Sequence, residues 1–204
     1  MKLIGLTGTS GSGKGYVSRL FAERGIESID TDAIVHRLYR EDRDCIAALE
    51  AAFGSVCDTN GWVDRRKLAA IVFSDGDKLA LLNRIVHRFV WREVERIASD
   101  KEAEQCAWLL LDAPQLYEAG METLCYKVIA VTAPESVRLE RICKRDGLPR
   151  AAVEARISHQ HSDAFFEERA DYLIRNDGDG SVADQIDNII GELKNDESKN
   201  DLLG

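Results

Sequence analysis

The stretch "KLIGLTGTSGSGKGYVSRLF", residues 2–21, limits what this chain can fold into more than any other feature of it. A short apolar run ends at a glycine-rich loop, after which Val17, Leu20 and Phe21 recur at helical spacing. Strand, loop and helix in that order let successive backbone N–H groups turn inward on a phosphate while the helix presents its positive end. Gly8, Gly13 and Lys14 meet the phosphate-loop pattern G-x-x-x-x-G-K, with the lysine placed to reach terminal phosphates. A chance Gly/Ser-rich turn would lack the flanking strand and helix. The candidate ATP-binding set is therefore Gly8, Thr9, Ser10, Gly11, Ser12, Gly13, Lys14, Gly15 and Tyr16. One position departs from the pattern, since Gly15 stands where a magnesium-binding hydroxyl is usual.

Further apolar runs at "ESID" (27–30), "AWLLLDA" (107–113), "KVIAVTA" (127–133) and "DYLIRN" (171–176) read as strands. Runs apolar on both faces and separated by helical segments imply an α/β fold with a five-stranded parallel sheet covered on both sides. Between the second and third runs, "AIVHRLY", "CIAALEAAF", "RKLAAIVF" and "KLALLNRIVHRFVWREVERIA" carry the 3.6-residue pattern of a helical insertion. The charged stretch from Glu135 to Arg169 is also read as helical, and "NDESKNDLLG" as a frayed polar tail.

The formal charge of −9 on 204 residues argues against nucleic acid or an anionic membrane as a partner, because phosphate backbones repel such a surface. Five cysteines at 45, 57, 106, 125 and 143 show no C-x-x-C pair, so reduced, mostly buried thiols are expected. The first apolar run meets Gly8 too soon for a signal peptide, and no stretch approaches membrane-spanning length; a cytoplasmic protein is expected. Nothing in the insertion demands a partner, so a monomer is expected.

In "SIDTDAIVHRL", Asp30 and Asp32 fall at the end of the second strand, where ligands gather in open α/β sheets. If the strand continued, its period of two would turn both carboxylates to one side. Alternatively one or both cap a helix beginning at Ala33. Asp32 is the expected catalytic residue, able to orient an acceptor hydroxyl and take its proton, and Asp30 the supporting one. In "RLERICKRDGL", Arg141 and Arg145 stand four apart on one helix face and are able to grip phosphate oxygens with forked hydrogen bonds. That spacing also suits a solvated face with acidic partners.

Taken together, "IGLTGTSGSGKG", "IDTDAIVHRL", "NRIVHRFV", "LLLDAPQLYEAG", "RLERICKRDGL", "ARISHQ" and "ADYLIRNDG" run through almost the whole chain. In this order they resemble the dephospho-coenzyme A kinase family. The resemblance implies a three-layer phosphate-loop kinase fold and transfer of the ATP γ-phosphate to the ribose 3′-hydroxyl of dephospho-coenzyme A. It implies a core of residues 1–32, 107–134 and 170–194, a helical acceptor lobe at about 33–106, a helical lid at about 135–169 and a polar tail at 195–204. Asp32 falls on the family's proposed base, Lys14 on its loop lysine, and Arg141 and Arg145 on its lid arginines, with Asp32, Lys14 and Arg141 as the catalytic set.

Several positions depart from the family pattern. Arg88 follows His87 where proline is typical, and Gln115 stands in "APQLYE" where "PLLFE" is usual, so His87, Arg88 and Gln115 join Asp32 as the acceptor-binding set. Phe166 stands six beyond Gln160 where a basic residue is common. Adenylate kinases also read G-K-G and remain magnesium-dependent; resemblance at Gly15 implies Mg²⁺ held through ATP phosphates and water, with no direct protein ligand assigned. His159 and His161 read as exposed helix residues, Trp62, Trp91 and Trp108 as too dispersed to form a stacking platform, and Asp112 as either a water-mediated metal ligand or a helix cap. A nucleotide or nucleoside kinase with an altered acceptor, and a non-catalytic nucleotide-binding regulatory protein, are the alternative functions.

Overall fold

The apolar runs become β1 (Lys2–Gly8), β2 (Ser28–Asp30), β3 (Trp108–Asp112), β4 (Lys127–Thr132) and β5 (Tyr172–Arg175) in a computed structural model. The structure describes residues 1–158, 160–178 and 180–201, with side chains to residue 196. The sheet order is β2-β3-β1-β4-β5, and β1 pairs in parallel with β3 and β4, as β4 does with β5. β3 is buried along its whole length, as a parallel strand covered on both faces must be.

The chain forms two compact units. The sheet unit comprises Lys2–Ser28, Trp108–Leu116 and the chain from Glu122 onward. Here α1 (Lys14–Ala22) and α9 (Val182–Asp201) lay Val17, Phe21, Ile186 and Leu193 on Ile4, Leu6, Ile129 and Val131 of the sheet. Each such side chain contributes on the order of 1.5–3 kcal/mol by leaving water. Three further helices, α6 (Glu135–Asp146), α7 (Arg150–Ile157) and α8 (Asp163–Arg169), occupy the stretch read as a lid. α6 and α7 share a small core of Leu139, Ile142, Val153 and Ile157.

The helical unit comprises Met1, Ile29–Ala107 and Tyr117–Met121. Its helices are α2 (Thr31–Glu41), α3 (Arg43–Phe53), α4 (Arg65–Val72) and α5 (Gly76–Ala103). Each begins at an aspartate, in turn Asp30, Asp42, Asp64 and Asp75, whose carboxylate accepts first-turn backbone N–H groups. Such caps satisfy donors that a helix start leaves open, at about 1 kcal/mol apiece.

Some expectations shift. The second strand stops at Asp30 and the helix starts at Thr31, because the Asp30 carboxylate draws Asp32 and Ala33 N–H groups into a helical turn; strand period does not relate the two aspartates. The tail read as frayed is helical to Asp201, extending the amphipathic α9, while residues 202–204 lie outside the described residues. His161 sits in the turn before α8, stacked at 3.7 Å on Phe165, and not in a helix; His159 lies outside the described residues. Phe166 is buried, edge-on to Phe165, so its position faces the interior. None of the five cysteines forms a disulfide; Cys45 is buried and the other four are half-buried. Among the described residues no helix is long and apolar enough to cross a membrane.

Candidate active site

The phosphate loop is built where β1 ends. Gly8 takes a φ of 145°, and a Cβ there would lie 2.2 Å from the Val131 carbonyl of the neighbouring strand. Gly13, at φ 95° and ψ 24°, starts α1 without a side-chain cap, which leaves the helix's positive end to a ligand. By contrast Gly15 has nothing within 4 Å of a built Cβ. Tyr16 beside it is exposed.

Lys14 extends its Nζ to Oδ1 of Asp112 at the end of β3. Only 18% and 11% of the two side chains remain exposed. Asp112 is thus an ion-pair partner of the loop lysine and not a helix cap. Thr9 and Ser12 bury their hydroxyls with no hydrogen-bond partner among the described residues. An orphaned buried hydroxyl costs about 1–3 kcal/mol, so two in one loop suit phosphate oxygens or the water around them.

Arg141 of α6 clamps the loop from outside. Its Nη1 donates to the carbonyls of Gly11 and Ser12, both at 3.3 Å, and its Nη2 to the Asn176 carbonyl at 3.0 Å. Asn176 in turn donates its amide to the Ser12 carbonyl at 2.7 Å. Gln160, between α7 and α8, accepts from the Ser10 N–H at 3.1 Å and donates to its hydroxyl at 2.7 Å. Arg138 is buried, its Nε donating to the Ala133 carbonyl at 3.0 Å. Arg145, on the same face as Arg141, does not join them: it forks onto Asp146 at 2.7 and 2.9 Å, which raises its pKa and lowers that of Asp146. Gln115 is exposed just beyond β3. Sequence reading missed Gln160 and Asn176 as loop partners, although both fall inside recognised motifs.

The second group of candidates belongs to the helical unit. Asp30 Oδ1 accepts from the N–H groups of Asp32 at 2.9 Å and Ala33 at 3.1 Å, which makes it the α2 cap. Asp32 is exposed in the first turn, and its carboxylate has no hydrogen-bond or ion-pair partner among the described residues. On α5, His87 is half-buried and Arg88 exposed, the latter 4.8 Å from the Phe89 ring. Arg88 lines a cleft of about 340 Å³ with Asp44 and Arg92.

The family model described as dephospho-CoA kinase matches residues 2–182. The dephospho-CoA kinase of Lactobacillus johnsonii is 32% identical over 192 residues, covering 93% of this chain and 97% of that one. That of Bradyrhizobium diazoefficiens is 36% identical over 194 residues, covering 95% and 96%. A crystal structure from Thermus thermophilus superposes with a TM-score of 0.78 at 33% identity, covering 95% of this chain and 97% of that one.

Proposed function

Because the chain belongs to the dephospho-coenzyme A kinase family, we propose that it transfers the γ-phosphate of ATP to the ribose 3′-hydroxyl of dephospho-coenzyme A, giving coenzyme A. The observation that carries this reading is the span of the match, residues 2–182, which takes in the loop, Asp32 and the helix of Arg141 together.

In this reading the ATP phosphates lie against the backbone N–H groups of Gly11, Gly13, Lys14 and Gly15, since those of Ser10 and Ser12 already donate to Gln160 and to the Thr9 carbonyl, and Lys14 neutralises charge on the terminal phosphates. Asp32 takes the proton of the 3′-hydroxyl as its oxygen bonds to the γ-phosphorus; the bond from phosphorus to the β–γ bridging oxygen breaks and ADP leaves. An exposed carboxylate with no partner among the described residues has its lone pairs open for that proton. Arg141 keeps the loop in shape through the Gly11 and Ser12 carbonyls and stands at its edge for the transferring group. Arg145 must exchange Asp146 for phosphate to contribute, which its exposure permits.

Mg²⁺ fits the donor set as a phosphate-held ion. Among the described residues no group of three or more His, Cys, Asp or Glu side chains is arranged for a metal. Mg²⁺ needs few carboxylates when phosphates and waters complete its shell, so Asp112 beside Lys14 would hold it through water. Bound there, it would offset the charge of the β- and γ-phosphate oxygens. The same reading places the enzyme in the cytoplasm as a monomer.

A coupled assay of ADP release with ATP and Mg²⁺, comparing dephospho-coenzyme A with nucleosides and nucleoside monophosphates, tests the assignment. Preference for dephospho-coenzyme A is expected. Preference for a nucleoside or its monophosphate would make the chain a kinase of altered acceptor.

A further inference from the structure

The phosphate loop carries hydroxyls at Thr9, Ser10 and Ser12, and the middle one is treated differently from its neighbours. Thr9 and Ser12 bury theirs with no partner among the described residues, whereas the half-buried Ser10 is held from outside by Gln160. The two contacts between Ser10 and Gln160 fix each other's direction. A backbone N–H can only donate, so the Ser10 N–H, at 3.1 Å, requires the carboxamide oxygen of Gln160, and that turns Nε2 toward the Ser10 Oγ at 2.7 Å. An amide N–H can only donate as well, so the Ser10 hydroxyl is the acceptor in the second bond. Its own hydrogen is then left without an acceptor among the described residues.

Gln160 is itself held on both sides. Its N–H donates to the Ile157 carbonyl at 2.9 Å, continuing the last turn of α7. The next residue, His161, stacks on Phe165 at 3.7 Å with the rings 5° from parallel, and the Arg169 guanidinium lies 4.1 Å from the centre of the same ring. Ser162 caps α8 by accepting the Phe165 N–H at 3.3 Å. With the backbone pinned in this way, only side-chain freedom is lost when Gln160 meets Ser10.

A hydroxyl that accepts one hydrogen bond donates the next more strongly, because the two bonds polarise each other. A phosphate oxygen, which brings lone pairs and charge, suits such a donor. Position indicates which phosphate. Ser10 is the loop residue tied to the segment between α7 and α8, and it adjoins Gly11, whose carbonyl Arg141 holds at the edge given above to the transferring group.

Resting on the ATP site of the function proposed above, we propose that the Ser10 hydroxyl donates to an oxygen of the terminal phosphate of ATP, and that Gln160 is the positioning residue that keeps this hydroxyl a donor. ATP has that phosphate and ADP lacks it, so the contact separates substrate from product. Once the phosphate has moved to the acceptor, nothing at Ser10 retains ADP.

The test is calorimetric titration of the full chain with Mg·ATP and with Mg·ADP, acceptor left out, together with a thermal melt of each variant. Wild type is compared with Ser10→Ala, Ser10→Thr, Gln160→Met and Ser10→Ala/Gln160→Met. Ser10→Ala is expected to weaken ATP about tenfold or more and ADP by less than about twofold, the loss of one hydrogen bond to a charged group. Ser10→Thr keeps the hydroxyl and should keep the wild-type preference for ATP over ADP. Gln160→Met has the same length and no polar end; it should weaken ATP about tenfold, and the double variant should be no weaker than the weaker single one, since both residues act through one contact. A glutamine that only braces the loop would weaken ATP and ADP together when replaced. That result, wild-type ATP affinity in Ser10→Ala, or additive losses in the double variant would overturn the proposal while the function stands. Wild type that binds Mg·ATP with the expected variant pattern but leaves dephospho-coenzyme A unchanged would overturn the function and support the Ser10 contact; wild type that binds no Mg·ATP would overturn both.

Discussion

Replacing Gly13 by alanine tests whether the loop's shape is what binds ATP. A Cβ at Gly13 would lie 2.1 Å from the Asn176 amide nitrogen, which would have to withdraw from the Ser12 carbonyl. The residue would also carry a side chain at φ 95°, at a cost of about 1–2 kcal/mol. Loss of the Asn176 hydrogen bond leaves a half-buried amide and adds about 1–3 kcal/mol. The sum is about 2–5 kcal/mol, taken from folding and from loop order together. Gly15→Ser is the control: the position is open within 4 Å, φ there is ordinary, and glycine in a helix is worse than most residues by up to about 1 kcal/mol. Urea denaturation and calorimetric titration with Mg·ATP measure both quantities. Gly13→Ala should shift the denaturation midpoint down and weaken ATP at least tenfold, whereas Gly15→Ser should fold as well as wild type and bind Mg·ATP equally or more tightly. Wild-type affinity in Gly13→Ala would refute the reasoning, and binding only in Gly15→Ser would make Gly15 a lesion.

Lys14→Ala should abolish turnover and also destabilise the fold, by about 1–3 kcal/mol, because it removes the cation paired with the mostly buried Asp112 carboxylate. Lys14→Ala/Asp112→Ala should recover stability without turnover, which a thermal melt beside a rate assay will show. Asp32→Asn should lose about a hundredfold or more in kcat with ATP affinity kept, while Asp30→Asn should stay near wild type in both, since asparagine caps a helix as well as aspartate; equal losses with normal circular dichroism would remove Asp32 as base. Stability should form a plateau in pH. Asp58, Asp75, Asp146 and Asp187 have folded pKa values lowered chiefly by N–H or guanidinium donors, so their contribution is present above about pH 4 and lost as pH falls through the folded values. Burial pushes Cys45 and Cys125 up to about 12, so theirs is present below the unfolded thiol value near pH 8.5 and lost above it. Melting temperature against pH checks both edges, and a rise on acidification from pH 5 to 3 would contradict the assignment.

Features with a short sequence period were legible, and long-range ones were not. The glycines and lysine of the loop, the apolar runs of β1, β3 and β4, and the helices of the insertion follow from spacing alone, since parallel strands and amphipathic helices bury faces of fixed period. The turn at Asp30 was half legible: the capping alternative was in view, but a cap ends a strand as well as starting a helix, and that removed the strand-period argument for Asp32. Arg138 is one of several cations in the charged stretch 135–169, and nothing in the sequence marks it as the buried one, because its carbonyl partner at Ala133 lies before the helix start and outside any periodic pattern. Gln160 and Asn176 reach the loop across 150 and 164 residues, separations at which neither propensity nor period carries information. Arg145 was placed on the correct face by the i+4 rule, but the rule is silent on the adjacent Asp146 that takes its guanidinium.

The most direct measurement of the central claim is the position of the phosphate in the product. Wild-type chain, ATP, Mg²⁺ and dephospho-coenzyme A are incubated, and the purified product is read by correlated proton–phosphorus NMR. A single new monophosphate coupled to the ribose H3′, formed in equal amount with ADP and absent with Asp32→Asn, is the expected result. A phosphate coupled to H2′, or ADP released with dephospho-coenzyme A unchanged, would contradict it.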